Sequence, residues 1–266
     1  MVKKHWKQQT RLVHEGQNRS PHGETAEAMY LTSGYVYDSA EQAEARFREE
    51  DDGFIYSRFG NPTVRAFEER MIALEGTQDA RATATGMAAV TATMMSQLQT
   101  GDHIVAARAL FGSCRYVVET LMPKFGVACT LVDGRDIDAW KAAIRPETKV
   151  LFLETPSNPL LEIVDMQAVA DLAHENGARL VVDNVFATPI LQRPTDFGAD
   201  IVVYSATKHI DGQGRCLGGV ILGDQSFIQD ELANFLRQTG PSLSPFNAWV
   251  MLKALETLAL RVDAHC

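Results

Sequence analysis

Residues 178–208 read ARLVVDNVFATPILQRPTDFGADIVVYSATK, in which two apolar runs, Ala178 to Val182 and Asp200 to Tyr204, each lead to residues capable of chemistry. The first run ends at Asp183, and the second leads through Ser205-Ala206-Thr207 to Lys208, twenty-five positions further on. Short apolar runs of this kind read as buried strands. Asp183 and Lys208 are therefore expected at neighbouring strand ends, and ligands of open α/β sheets gather outside the carboxyl ends of the strands.

Outward from this pair, the chain alternates. Seven β-favouring runs, near 79–84, 103–107, 127–132, 149–154, 179–183, 200–204 and 218–222, are separated by helical patterns such as 87–98, 136–144 and 165–176. That alternation predicts an α/β fold, a mainly parallel seven-stranded sheet between helices. Asn61-Pro62 opens a helix with Asn61 as its cap, Val64, Phe67, Met71 and Leu74 on one face, and Gly76 as its stop. Ahead of it, residues 1–61 read as an arm with one helix candidate, where Ser39-Ala40-Glu41-Gln42 has capping-box form and Ala40, Ala43 and Phe47 share a face. Residues 62–244 form the main domain, and after Gly223 the pattern turns helical over 225–239 and 245–264. The last helix, over 245–266, is still running at Cys266, so the chain is expected to be a piece of something longer.

Composition narrows the function classes. With 266 residues, 45% hydrophobic and 22% charged, the chain is that of an ordinary globular protein. A net charge of −9 without basic blocks argues against nucleic acid as a partner. The N-terminus, with Lys3-Lys4 followed by no apolar core, does not read as a secretory signal, and no apolar stretch is long enough to span a bilayer. Cys114, Cys129, Cys216 and Cys266 are widely spaced without C-x-x-C, which fits reduced thiols in a cytoplasmic protein.

A lone lysine after a strand is ordinarily a solvated surface residue. Here Ser205 and Thr207 place hydroxyls beside Lys208, and Gly212, Gly214, Gly218 and Gly219 follow, letting backbone approach a bulky ligand. Such an amine can form a Schiff base with a carbonyl. Asp183 suits either a cap or salt-bridge role or that of a fixed carboxylate holding a proton on a ring nitrogen, the pairing that pyridoxal 5'-phosphate requires. Thr85-Gly86-Met87, between a strand and a helix candidate, offers backbone N–H groups and a helix dipole to a phosphate. Tyr56-Ser57-Arg58 is a second phosphate candidate through its phenol and guanidinium, and Phe111 suits either ring stacking or core packing. Gly212, Gly214 and Gly218 do not have the dinucleotide-loop spacing, His14-Glu15 and His174-Glu175 are not H-E-x-x-H, and there is no G-x-S-x-G elbow.

Taken together, the stretches 56–63, 85–87, 154–159, 182–184 and 205–208 resemble the Cys/Met-metabolism family of pyridoxal-phosphate enzymes, of the aspartate-aminotransferase fold type, from about residue 10 to the end. The resemblance implies that Lys208 carries the cofactor and acts as the catalytic base, while Asp183 pairs with its ring nitrogen. Gly86, Met87, Ser205 and Thr207 would hold the phosphate, and Phe111 would stack on the ring. Asn158 would lie near the phenolic oxygen or the substrate carboxylate. Tyr56 and Arg58 would reach from the arm into a neighbouring subunit's site, so a homo-oligomer, as a dimer of dimers, is implied. Within the family, Phe111-Gly112-Ser113 and the stretch 209–215 look like the O-succinylhomoserine sulfhydrylases, enzymes of methionine biosynthesis and transsulfuration that take an amino-acid ester and sulfide. Rival activities are those of O-acetylhomoserine sulfhydrylase, cystathionine γ-synthase and γ-lyase. Many relatives have tyrosine where Phe111 stands, so an acid–base role there is lost. Relatives continue for a further small domain, ~100 residues or more being normal for one, that carries the arginine for the substrate carboxylate. Without it the chain is expected to bind substrate poorly or to be an inactive fragment.

Overall fold

The computed structural model describes residues 6–266. The first five positions of the expected arm, with the Lys3-Lys4 pair used in reading the N-terminus, lie outside the described residues. In chain order the elements are α1 (Gln8–His14), α2 (Ala40–Phe47), α3 (Pro62–Glu75), β1 (Asp79–Thr83), α4 (Gly86–Gln97), β2 (His103–Ala107), α5 (Gly112–Tyr116), β3 (Ala128–Val132), α6 (Ile137–Ala143), β4 (Thr148–Glu154), α7 (Met166–Glu175), β5 (Arg179–Asp183), α8 (Thr188–Leu191), β6 (Ile201–Ser205), β7 (Gly219–Gly223), α9 (Ala233–Thr239), α10 (Pro245–Leu255) and α11 (Leu258–His265).

All seven expected strands form, in one sheet of order β1-β7-β6-β5-β4-β2-β3. β6, β5, β4, β2 and β3 are parallel neighbours, while β7 runs antiparallel to both β6 and β1. Because strand side chains alternate between faces, each buried strand feeds two cores. Val105, Leu151, Leu180, Val182 and Val202 pack with α3, α7, α10 and α11. Ile104, Phe152, Val181, Ile201 and Val203 pack with α4 and the segment after α5. A sheet covered on both faces explains why its strands read as continuous apolar runs rather than as alternating ones.

Side-chain caps set the helix starts. Asn61 Oδ1 accepts from the N–H groups of Thr63 at 2.9 Å and Val64 at 3.4 Å, and Gly76, at φ +86, closes α3. Asp136 and Asp165 cap α6 and α7 in the same way, each 3.1 Å from the N–H three residues on. In α2, Ser39 accepts from Gln42 N–H, but the Gln42 side chain takes Asp38 N–H, one residue before the expected partner. The face of α2 expected to be apolar stays uncovered in this chain, with Phe47 62% exposed.

The segment over 245–264 is not one helix. Ala254 carbonyl accepts from Thr257 N–H at 3.2 Å and from the Arg261 guanidinium at 2.9 Å, which tightens the turn and separates α10 from α11. Before α9, Phe227–Leu232 winds as a wide π-helical turn. Among the described residues no helix is long and apolar enough to cross a membrane.

Candidate active site

β5 and β6 are adjacent and parallel, so Asp183 and Ser205 end at the same edge of the sheet. The chain turns directly after β6, Lys208 N–H donating to Ser205 carbonyl at 3.2 Å, which puts the lysine over the strand ends. From the far side of β6, the connection from β1 to α4 delivers Thr85, Gly86 and Met87. A Cβ on Gly86 would lie 2.5 Å from Ser205 Cβ, so only glycine lets the N-terminus of α4 come this close to β6. β4 contributes Glu154, in register with Asp183.

These elements enclose a cavity of about 480 Å³. Gly86, Met87, Phe111, Asn158, Asp183, Ser205, Thr207 and Lys208 all line it, so eight of the ten residues expected at the site come together. Tyr56 and Arg58 do not. Arg58 borders a separate groove of about 710 Å³, where its guanidinium donates to the Arg237 carbonyl and lies 4.8 Å from the Phe59 ring centroid. Tyr56 is 42% exposed.

Within the cavity the ionisable groups are unequally satisfied. Asp183 is buried, accepting from Val185 N–H at 3.1 Å and from the Cys114 thiol at 3.7 Å. Burial pushes its carboxyl up to about 6, against the pull of those two donors. Glu154 is pushed up to about 7 by burial and by the charge of Asp183, although two backbone N–H groups stabilise its ionised form. The Cys114 thiol is driven well above its ordinary range by burial and by the same two carboxylates, so it is no nucleophile. The Lys208 ammonium, the Ser205 hydroxyl and the Asn158 amide make no side-chain hydrogen bond or ion pair with a described residue. Thr207 differs from Ser205. Its Oγ accepts Gly218 N–H at 3.1 Å and lies 3.3 Å from Gly218 carbonyl, so its hydroxyl is already engaged. At the start of α4, Thr85 Oγ accepts Ala88 N–H at 3.0 Å, which leaves the N–H groups of Gly86 and Met87 without intrahelical acceptors.

Glu154, Cys114 and His209 also line the cavity and were not singled out as site residues from the sequence. For Glu154 a signal existed: it ends the strand run beside the one that Asp183 ends. His209 follows Lys208, its ring 5.6 Å from that of His265, and burial holds its imidazole below the usual range.

With this geometry established, three similarities are informative. The chain is 55% identical over 251 residues to a protein of Mycobacterium tuberculosis named O-succinylhomoserine sulfhydrylase, covering 94% of this chain and 62% of that one. It is 51% identical over 256 residues to a protein of the same name from Pseudomonas aeruginosa, covering 96% and 63%. A solved structure described as an O-acetylhomoserine (thiol)-lyase from Campylobacter jejuni, carrying N'-pyridoxyl-lysine-5'-monophosphate, superposes with a TM-score of 0.93 at 27% identity, over 98% of this chain and 73% of that one. The chain thus spans less than two thirds of the length of the curated relatives it matches. Residues 9–266 match the sequence profile of the Cys/Met metabolism PLP-dependent enzymes, which act on small amino-acid substrates, and the chain belongs to that family.

Proposed function

We propose that the protein binds pyridoxal 5'-phosphate in the 480 Å³ cavity and catalyses γ-replacement, converting O-succinylhomoserine and hydrogen sulfide to homocysteine and succinate. The observation that carries this reading is one cavity lined at once by an unpaired lysine, a buried carboxylate and the open N-terminus of α4. Its volume lies within the ~300–1,000 Å³ usual for small-ligand sites. The donors fit the cofactor's three ends: Lys208 for the carbonyl, Asp183 for the ring nitrogen, and for the phosphate the N–H groups of Gly86 and Met87 with the Ser205 hydroxyl. Thr207 assists by turning its O–H from the Gly218 carbonyl, 3.3 Å away, to the phosphate, while Gly218 N–H keeps Oγ in place. When bound, the cofactor supplies an electron sink for charge developing beside the substrate amine.

The chain's own part is binding, orientation and proton transfer. Lys208, freed when the substrate amine takes its place, would remove the α-proton and then a β-proton as succinate leaves the γ-carbon, and would return both protons once hydrosulfide has added there. Asp183 keeps the ring nitrogen protonated, its burial making the pair stronger than it would be in water. Phe111, 42% exposed and not packed into the core, stacks on the ring, and Asn158 orients the phenolic oxygen or the substrate carboxylate. Tyr56 and Arg58 serve the cavity of a second copy in a dimer of dimers. The segment up to residue 61 is the arm that carries them there, 62–244 the cofactor-binding body, and 245–266 the helical segment that follows it. The choice of succinyl ester and sulfide rests on the 51–55% identity to the two sulfhydrylases.

Two measurements test this. Pyridoxal phosphate should give a visible absorbance band with the parent chain and none with Lys208→Ala. The full-length protein, supplied with succinyl or acetyl homoserine and with sulfide or cysteine, should release homocysteine fastest from the succinyl ester and sulfide. Homocysteine from the acetyl ester alone, or cystathionine as the main product, would overturn the substrate assignment.

A further inference from the structure

Glu154 ends β4 with 3% of its surface exposed, inside a cavity whose neighbouring strand ends on a second carboxylate, Asp183. Placing two carboxylates side by side out of water is unfavourable unless each is needed. The need is visible in the hydrogen bonds. Glu154 Oε2 accepts the N–H of Phe111 at 2.6 Å, and Oε1 accepts the N–H of Asn158 at 3.1 Å. Phe111 lies 43 positions away, in the loop before α5, and Asn158 lies in the loop that leaves β4. Among the described residues no other hydrogen bond joins these two loops.

We propose that Glu154 is a positioning residue, a single carboxylate that ties the Phe111 loop to the Asn158 loop and so sets where the aromatic ring and the side-chain amide stand before a ligand enters. This inference rests on the reading of the cavity as the pyridoxal-phosphate site. Both side chains that it positions lack hydrogen-bonded anchors of their own, so the backbone bonds decide their placement. Above about pH 7, where Glu154 is ionised and where the test is run, its carboxylate offers two equivalent acceptors at this spacing. Glutamine presents one oxygen and one NH₂, which would leave one of the two N–H groups facing another donor. Fixing the walls in advance lowers the ordering cost of binding, which appears as affinity.

The test is Glu154→Gln, read in two ways. In the cofactor-free chain, amide hydrogen exchange at whichever of Phe111 and Asn158 then faces the NH₂ should quicken about tenfold or more, as expected for losing a charge-assisted hydrogen bond, while exchange in β5 and β6 stays as in the parent. Titrated with pyridoxal phosphate, the variant should bind about tenfold more weakly, but Glu154→Gln should weaken binding no further when made in a Phe111→Ala/Asn158→Ala background, since the groups that it positions are then gone. Unchanged exchange at both amides would overturn the tether. An equal loss of affinity in both backgrounds would also overturn it, showing that Glu154 acts on the ligand or through general stability. If the parent chain binds no pyridoxal phosphate, the proposed function falls and the tether stands or falls on the exchange result alone.

Discussion

Lys208 and Asp183 stand out as single residues in the sequence because each ends a strand, but their states depend on burial that only the folded chain supplies. Four buried carboxyls, Glu68, Glu75, Glu154 and Asp183, have values raised above those of the unfolded chain, Glu75 and Glu154 to about 7 and Asp183 to about 6. Glu75 lies outside the cavity, accepting from Tyr204 hydroxyl at 2.5 Å, while its Oε1 is buried with no partner. A raised folded value means that the native state holds a proton the unfolded chain has released, so stability is fully present below about 4.5 and is lost as pH rises through about 7. The loss approaches about 1.4 kcal/mol per pH unit for each such carboxyl. Without cofactor, the denaturant midpoint should fall between pH 4.5 and 7, and Glu75→Gln should flatten that fall. An identical slope in parent and variant would show that Glu75 is not protonated in the native state.

Among the elements, the N-terminus of α4 has the tightest constraint. A Cβ at Gly86 would sit 2.5 Å from Ser205 Cβ and 2.7 Å from its Oγ, so Gly86→Ala must push α4 away from the end of β6. Overpacking of this kind costs about 1–3 kcal/mol. Since the displaced groups are the proposed phosphate donors, pyridoxal-phosphate affinity should drop about tenfold or more, each tenfold being about 1.4 kcal/mol. A Gly34→Ala control, where a Cβ meets nothing within 4 Å, should bind as the parent does. A Gly86→Ala chain that binds with parent affinity would place the phosphate elsewhere. Strand and cap positions were legible in the sequence because they rest on local signals, such as Asn61-Pro62 and the closing Gly76. The break between α10 and α11 was not, because it depends on Arg261 reaching Ala254 carbonyl, a contact that apolar periodicity does not encode.

For the whole molecule, one fully buried arginine is among the anchors between the N-terminal segment and the rest of the chain. Arg70 donates to Glu15 carbonyl at 2.8 Å and pairs with Glu27 at 2.5 Å, while Trp249 and Lys253 of α10 also bind Glu27, at 3.2 and 3.1 Å. Beyond that anchor the arm exposes Leu31 and Val36, at 66% and 90%, and keeps Tyr56 and Arg58 away from its own cavity. If these residues complete a second copy's site, Arg58→Ala and Lys208→Ala variants of the full-length protein, each inactive alone, should recover activity when dissociated and reassembled together. In a two-fold dimer mixed at random the recovery approaches about a quarter of the parent value. No recovery would show that Arg58 serves its own chain.

Local signals were enough for the α/β class, the seven strands and the strand-end placement of Asp183, Ser205 and Lys208, because strand apolarity and caps are written every few residues, whereas Asn158 entered only through the family resemblance. The folded arrangement was needed to show that β7 runs against its neighbours, that Thr207 is engaged by Gly218, and that Glu154 spans two loops. It likewise decided that Arg58 folds back on Arg237, 179 positions away. Each of these is a pairing between groups brought together by strand order and side-chain rotamer, which no single stretch of chain specifies.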